Sequence, residues 1–303
     1  MLRLSKAALV TVLTACGLTA CVATQIDLPP IATSSGERHP GSFVWHDLIS
    51  DDPVGSQRFY GELFGWTFEP LSVLPGKYWT ISRDGEPIGG MVAQDSLRAQ
   101  KDVSQWISLL SVTDAGAARS LIASSGGEVL REPVSLGSRG TVAVYADPQG
   151  ALFATLTTVD GDPKAGVVPK QGDFLWHELW TSDVFAASPF YAALSDLSVD
   201  EGVSSAAASG VQYNVLRRDG EPVAAVRDLP DPEMPSLWMP FLKVDSPENL
   251  DALLVQVSQL GGRVLVPAVA RPSRGYVAVV AGPSGAPLAL QTWADDAPAI
   301  EEL

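Results

Sequence analysis

Two short stretches carry the residue types that do chemistry. Val44-Trp45-His46-Asp47-Leu48 sets an imidazole beside a carboxylate, and Leu175-Trp176-His177-Glu178-Leu179 repeats the arrangement in the second half of the chain. Such a pair suits metal ligation or acid–base work. Both stretches read as strands, however, and neighbouring side chains on a strand point to opposite faces, so the histidine and the carboxylate cannot reach one ligand together. A zinc, nickel or iron site wants several nitrogen or sulfur ligands. The chain has three histidines, one of them (His39) outside these stretches, and its two cysteines, Cys16 and Cys21, lie at the N-terminus. Indole faces at Trp45, Trp176 and Trp180 suit a planar or cationic ligand. A buried Asp47 or Glu178 needs a partner, because an unpaired buried carboxylate is costly. Either an arginine of the fold or a cationic or hydrogen-bonding ligand supplies it. No Gly-x-Ser-x-Gly elbow, P-loop or dinucleotide fingerprint is present.

The elements that must position these residues also repeat, with a period of about 130 residues. "RFYGELFGW" (58–66) is answered by "PFYAALSDL" (189–197), and "RDGEP" occurs at 83–87 and 218–222. "GGEVL" (126–130) is answered by "GGRVL" (261–265), "SRG" (138–140) by the same triplet at 273–275, and "DPQGALFATL" (147–156) by "GPSGAPLALQ" (282–291). Matches in one order indicate two homologous domains. Within each half the order strand, helix, three strands reads twice. Asp52-Pro53 caps a first helix that carries the pairs Phe59/Leu63 and Tyr60/Phe64 and stops at Gly65. A second helix runs from about Thr113 to Ser124. Ser246-Pro247-Glu248 opens another whose apolar face is Leu250, Leu253, Leu254 and Val257. Pro189 predicts a third-module helix that starts at Ser188-Pro189 or kinks there. "GEPIGG" reads as a close backbone approach.

The N-terminus supplies an address. Arg3 and Lys6 precede an apolar run too short to span a membrane, which needs about 20 residues. It ends in Leu-Thr-Ala-Cys twice, which resembles the bacterial lipobox. Cys21, or alternatively Cys16, is the expected acylated residue. This predicts a signal peptide over 1–20, a tether over 21–40 and a protein lipid-anchored in the bacterial cell envelope, facing the periplasm or exterior. Beyond Cys21 the chain has no thiol for disulfides or nucleophilic catalysis. A net charge of −15 argues against nucleic acid and favours a cationic ligand at long range.

The module order, together with "VWHDLISDDPVGSQRFYGELFGW" and "GGEVL…GSRGTVAVYADPQGALFA", resembles the vicinal oxygen chelate superfamily, also called the glyoxalase/bleomycin-resistance family. The resemblance implies an α+β fold of two tandem domains, each of two βαβββ modules forming a half-open barrel. Domain one is expected over 41–158, a linker over 159–171, domain two over 172–295 and a tail over 296–303. The resemblance also implies where a divalent metal would be held: on the first and last strands of each module. Family spacing from Phe59 and Phe190 places Trp45 and Trp176, not the histidines, at the first-strand ligand position. Trp45, Asp47 and Ile49, and Trp176, Glu178 and Trp180, then face the cavities, while His46 and His177 face the helices. The remaining ligand positions fall on Ile107, on "IGGMV", near Ala154 and near Ala289, none of ligand type. The expectation is a metal-free envelope protein that binds a small cationic or aromatic molecule through Trp45, Asp47, Trp176, Glu178 and Trp180. Its rivals are a metal-dependent lyase or dioxygenase with unusual ligands, and a scaffold whose cavities are filled by side chains.

Overall fold

The computed structural model describes residues 26–31, 36–97, 101–202, 210–271 and 275–293. The signal segment, Cys16 and Cys21 and the tail 296–303 lie outside the described residues. The first half runs β1 (Phe43–Ser50), α1 (Pro53–Phe64), β2 (Thr67–Pro70), β3 (Tyr78–Arg83), β4 (Glu86–Ala93), β5 (Gln105–Ser111), α2 (Ala115–Ser124), β6 (Glu128–Ser135), β7 (Gly140–Ala146) and β8 (Leu152–Thr158). The second runs β9 (Phe174–Thr181), α3 (Val184–Ser195), β10 (Ser198–Asp200), β11 (Tyr213–Arg218), β12 (Glu221–Asp228), β13 (Leu237–Val244), α4 (Pro247–Gln259), β14 (Arg263–Ala270), β15 (Tyr276–Ala281) and β16 (Pro287–Thr292). Each half is one eight-stranded sheet, ordered β2-β3-β4-β1-β5-β8-β7-β6 and β10-β11-β12-β9-β13-β16-β15-β14. The modules of a half join through their first strands, antiparallel at β1–β5 and β9–β13. Each module closes with a parallel pair, as in β1–β4 and β5–β8.

Local chemistry explains the elements. The Asp52 side chain accepts from the Gly55 amide, Pro53 follows it, and Gly65 ends α1 in the left-handed region at φ 70°. Asp114, Asp183 and Ser246 cap the other three helices in the same way. Asp84-Gly85 and Asp219-Gly220 both take positive φ at two successive residues, which is the type I′ hairpin turn. Two boundaries differ from the sequence expectation. The cap at Asp114 delays α2 to Ala115. The cap at Asp183 starts α3 at Val184, so Pro189 lies inside the helix rather than at its start. Pro189 is exposed. The carbonyl its missing N–H would have met belongs to Phe185, itself 65% exposed, where water can replace the lost bond.

The helices do not stay with their own sheet. Phe59, Tyr60 and Leu63 of α1 share one core with Leu250, Leu253 and Val257 of α4 and with Leu242, Leu288 and Leu290 of the second sheet. Val184, Phe190 and Tyr191 of α3 share another with Ile122, Tyr145 and Phe153 of the first half. Each fully buried side chain of this size stabilises by about 1.5–3 kcal/mol, so these two shared cores hold the halves together. Polar contacts repeat the exchange. Arg83 donates to the Gln171 carbonyl (2.9 Å) and pairs with Asp173 (2.8 Å), just before β9. Arg218, its counterpart in the second "RDGEP", donates to Ser42 Oγ (2.6 Å) and to the Pro40 carbonyl (3.3 Å), just before β1.

His46 and His177 meet where these exchanges cross. They lie on the helix-bearing faces of their strands, and their Nε2 atoms stand 2.8 Å apart. His46 stacks on Phe174 at 3.6 Å between ring centres, and His177 packs at a tilt against Phe43 at 4.3 Å. Burial holds the His46 imidazole down at about 3. Burial, and then His46 itself, holds His177 well below the usual range. Both are structural groups in a closed junction. The segment joining the halves is also anchored: buried Asp162 accepts from the His39 amide (2.7 Å), Ser111 Oγ (2.6 Å) and Thr158 Oγ1 (2.9 Å). Among the described residues no helix is long and apolar enough to cross a membrane.

Candidate functional site

Strand alternation divides β1 and β9 cleanly. Trp45 and Ile49 pack with Ile107, Leu109, Val142, Ala154 and Leu156 on the inner face of the first sheet. Trp176 and Trp180 pack with Tyr213, Met239, Phe241 and Ala289 on the inner face of the second. Leu48 and Leu179 belong to the helix-side cores instead.

On each inner face a carboxylate is gathered with a tyrosine, a tryptophan and arginine. In the first half, Asp47 Oδ1 accepts from Trp45 Nε1 and from Tyr78 Oη, both at 2.9 Å. Arg139 Nη1 donates to Tyr78 Oη at 2.7 Å, and its guanidinium lies 4.6 Å over the Trp45 ring. In the second half, Glu178 accepts from Trp180 Nε1 and Tyr213 Oη at 3.1 Å each and from Arg271 Nη2 at 2.7 Å. Arg227 Nη1 stands 3.9 Å from its other oxygen. The backbone position opposite tells why the acids differ in length. A Cβ on Gly90 would lie 2.0 Å from Tyr78 Oη and 2.3 Å from Asp47 Oδ1. The short aspartate therefore needs glycine beneath it, whereas Ala225 lies opposite the longer Glu178.

The two acids are tuned apart. Burial raises the Asp47 carboxyl, with Arg139 and the bonds from Tyr78 and Trp45 only partly opposing it, because the guanidinium reaches Asp47 through the tyrosine. Burial acts the same way on Glu178. There the charges of Arg271 and then Arg227, with direct hydrogen bonds, outweigh it and hold the carboxyl below its usual range. Arginines of the fold are thus the direct partners of Glu178, whereas Asp47 is held by Tyr78 and Trp45 with Arg139 behind the tyrosine. The second half keeps a cationic surplus of two guanidinium groups around one carboxylate.

The residues at the metal positions implied by family spacing do not fit a metal. In the first half they are Trp45, Gly90, Ile107 and Ala154, and in the second Trp176, Ala225, Met239 and Ala289, with no nitrogen or oxygen ligand side chain among them. Among the described residues no cluster of three or more His, Cys, Asp or Glu is arranged to hold an ion.

The segment expected as a free tether is partly built into the first half. Residues 26–31 cross its inner face as a strap. Ile31 is 2% exposed and packs with Trp45, Ile107 and Ala154, three of the four positions just named. Leu28 is buried too, and its amide donates to the Leu136 carbonyl at 2.9 Å. Arg139 Nε donates to the Pro29 carbonyl at 3.1 Å.

Sequence reasoning named Trp45, Asp47, Trp176, Glu178 and Trp180, and the structure places all five on the inner faces. It missed Tyr78, Tyr213, Arg139, Arg227 and Arg271. The tyrosines were findable, since each stands five residues before the arginine of an "RDGEP". Arg271 was not, because the repeat points to Arg274 as the counterpart of Arg139, and Arg274 lies outside the described residues.

No family model matches the chain. Anthracycline biosynthesis protein DauV of Streptomyces sp. (strain C5) is 31% identical over 268 residues, covering 82% of this chain and 91% of that protein. Among solved structures, the Mn(II)-bound glyoxalase from Novosphingobium aromaticivorans aligns at TM-score 0.57 and 13% identity, over 84% of this chain and 82% of that one. The 2,2',3-trihydroxybiphenyl 1,2-dioxygenase from Sphingomonas wittichii strain RW1 aligns at TM-score 0.55 and 13% identity, over 83% and 89%. With its duplicated βαβββ modules, the chain belongs to the vicinal oxygen chelate superfamily.

Proposed function

We propose that the protein binds a planar aromatic molecule bearing acceptor oxygens, without a metal, on the inner face of its second half. The observation that carries the reading is the surround of Trp176. Its ring is 5% exposed, and its Nε1–H has no partner among the described residues. A buried donor without an acceptor is costly, and a ligand oxygen would relieve it. Trp180, Tyr213 and Phe241 supply aromatic walls beside it. The guanidinium surplus of Arg227 and Arg271 selects phenolate, carboxylate or quinone oxygens over the cation that net charge alone suggests. The relative DauV adds support, since anthracyclines are planar hydroxylated ring systems. In this reading the lipobox-like cysteine, Cys21 or Cys16, anchors the protein in the cell envelope. A scaffold with filled cavities is the second reading, favoured in the first half by the buried Ile31.

The test is calorimetric titration with 1,4-dihydroxyanthraquinone, with metal content assayed alongside. Trp176→Phe keeps the ring and removes one donor, so affinity should fall by about 2- to 10-fold, the worth of one hydrogen bond. Arg271→Gln should weaken binding further. Stoichiometric manganese, iron, nickel or zinc in the purified protein, or affinity indifferent to both substitutions, would defeat the proposal. Cys21→Ser and Cys16→Ser, followed by membrane fractionation, test the anchor.

A further inference from the structure

We propose that the strap 26–31 is a displaceable internal occupant of a second ligand site in the first half, and that the site takes an aromatic carboxylate. The inference rests on the reading that the inner faces bind small molecules, and extends it to a half that is self-occupied.

Three observations carry it. The strap sits as a ligand would. Ile31 fills the apolar floor between Trp45, Ile107 and Ala154, and the Pro29 carbonyl presents one oxygen to Arg139 Nε. The fold also makes room for it: a Cβ on Gly137 would lie 2.1 Å from Asp27 Oδ1 and 2.8 Å from Asp27 Cα. Its hold is slight. Three hydrogen bonds (the Leu28 amide to the Leu136 carbonyl, the Ser138 amide to Asp27 at 2.7 Å, and Arg139 Nε to the Pro29 carbonyl) and two buried side chains fix it, while Pro29 and Pro30 are exposed and have no N–H to extend the pairing.

The third observation supplies the ligand chemistry. Arg139 is 2% exposed, yet its Nη2 has no partner among the described residues. It borders a cleft of about 290 Å³ walled by Pro29 and Pro30 on one side and by Pro70, Thr80 and Ser82 on the other. The strap carbonyl engages the guanidinium edge at Nε alone. A carboxylate would engage Nε and Nη2 together, as a two-pronged charge-assisted pair. Nη1 stays on Tyr78, which stays on Asp47, so the exchange disturbs nothing behind it.

The experiment uses the full chain and anthraquinone-2-carboxylate. Titration is read by calorimetry, and the Leu28 amide by hydrogen exchange. Exchange at Leu28 should accelerate when the probe binds. Ile31→Asp, which loosens the strap, should raise first-half affinity by up to about tenfold if the strap is open a tenth of the time. Arg139→Gln should abolish that site while leaving the second-half site in place. Unchanged or increased protection of Leu28 with bound probe would overturn the proposal, as would Ile31→Asp that melts normally but gains no affinity. Binding lost entirely on Arg271→Gln would sink the strap proposal and leave the second-half reading standing. No binding in wild type or in Ile31→Asp would sink both.

Discussion

At the scale of single residues, the paired histidines answer the chemistry their neighbours suggest. His46 and His177 resemble half of a metal or acid–base site in sequence, but each packs against a phenylalanine and the other's ring. Their consequence is for stability. Burial depresses both imidazoles below the unfolded value of about 6.5. Above that value neither state is protonated and pH has no effect through them. Below it the unfolded chain takes up protons that the folded chain refuses, so stability falls as pH falls, down to about 3 for His46. Between pH 6.5 and 5 His46 alone should cost about 1.5–2 kcal/mol, with His177 acting in the same direction, before carboxylates contribute much. Urea unfolding across that window measures it, and the double variant His46→Gln/His177→Gln should flatten the slope. An equally steep slope in the variant would place the sensitivity elsewhere.

At the scale of elements, α3 carries the sharpest test. Pro189 occupies an exposed helical position, and its missing N–H leaves the Phe185 carbonyl to water. Pro189→Ala should therefore raise stability by about 1–2 kcal/mol, part of the helix gain being offset by a freer unfolded chain. A melting temperature that is unchanged or lower would show that the proline is needed for how α3 meets α2. The same helix shows what a sequence can reveal. Caps, hairpin turns and the inward or outward face of β1 and β9 were legible, because each depends on residues a few positions apart. Pro189 was overweighted because a strong cap at Asp183 already decides where the helix starts. The strap was read as tether because its composition is polar and proline-rich, while two residues in it, Leu28 and Ile31, do the packing. Apolar periodicity showed that α1 and α4 have buried faces but not that they bury against each other, since the pattern names a face and never its partner.

At the scale of the whole molecule, that exchange decides how the halves depend on one another. The core under α1 is completed by the second half, and the core over α3 by the first. Residues 41–158 and 172–295, made separately, should expose these faces. Neither should melt cooperatively alone, and the two mixed should recover a single transition, checked by calorimetry and light scattering. A half that melts cooperatively by itself would show that the shared cores are dispensable. The duplication meets a limit at its own centre. The contacts on either side of the junction are reciprocal, phenylalanine for phenylalanine and arginine for arginine, but the bond joining the two Nε2 atoms has room for one hydrogen. One ring must carry it, and the other, neutral as well, must carry its hydrogen on Nδ1. The halves are thus different tautomers at the point where they are most alike. Reversing the assignment requires moving two protons on two buried rings. The molecule has a left and a right that no further sequence repetition could remove.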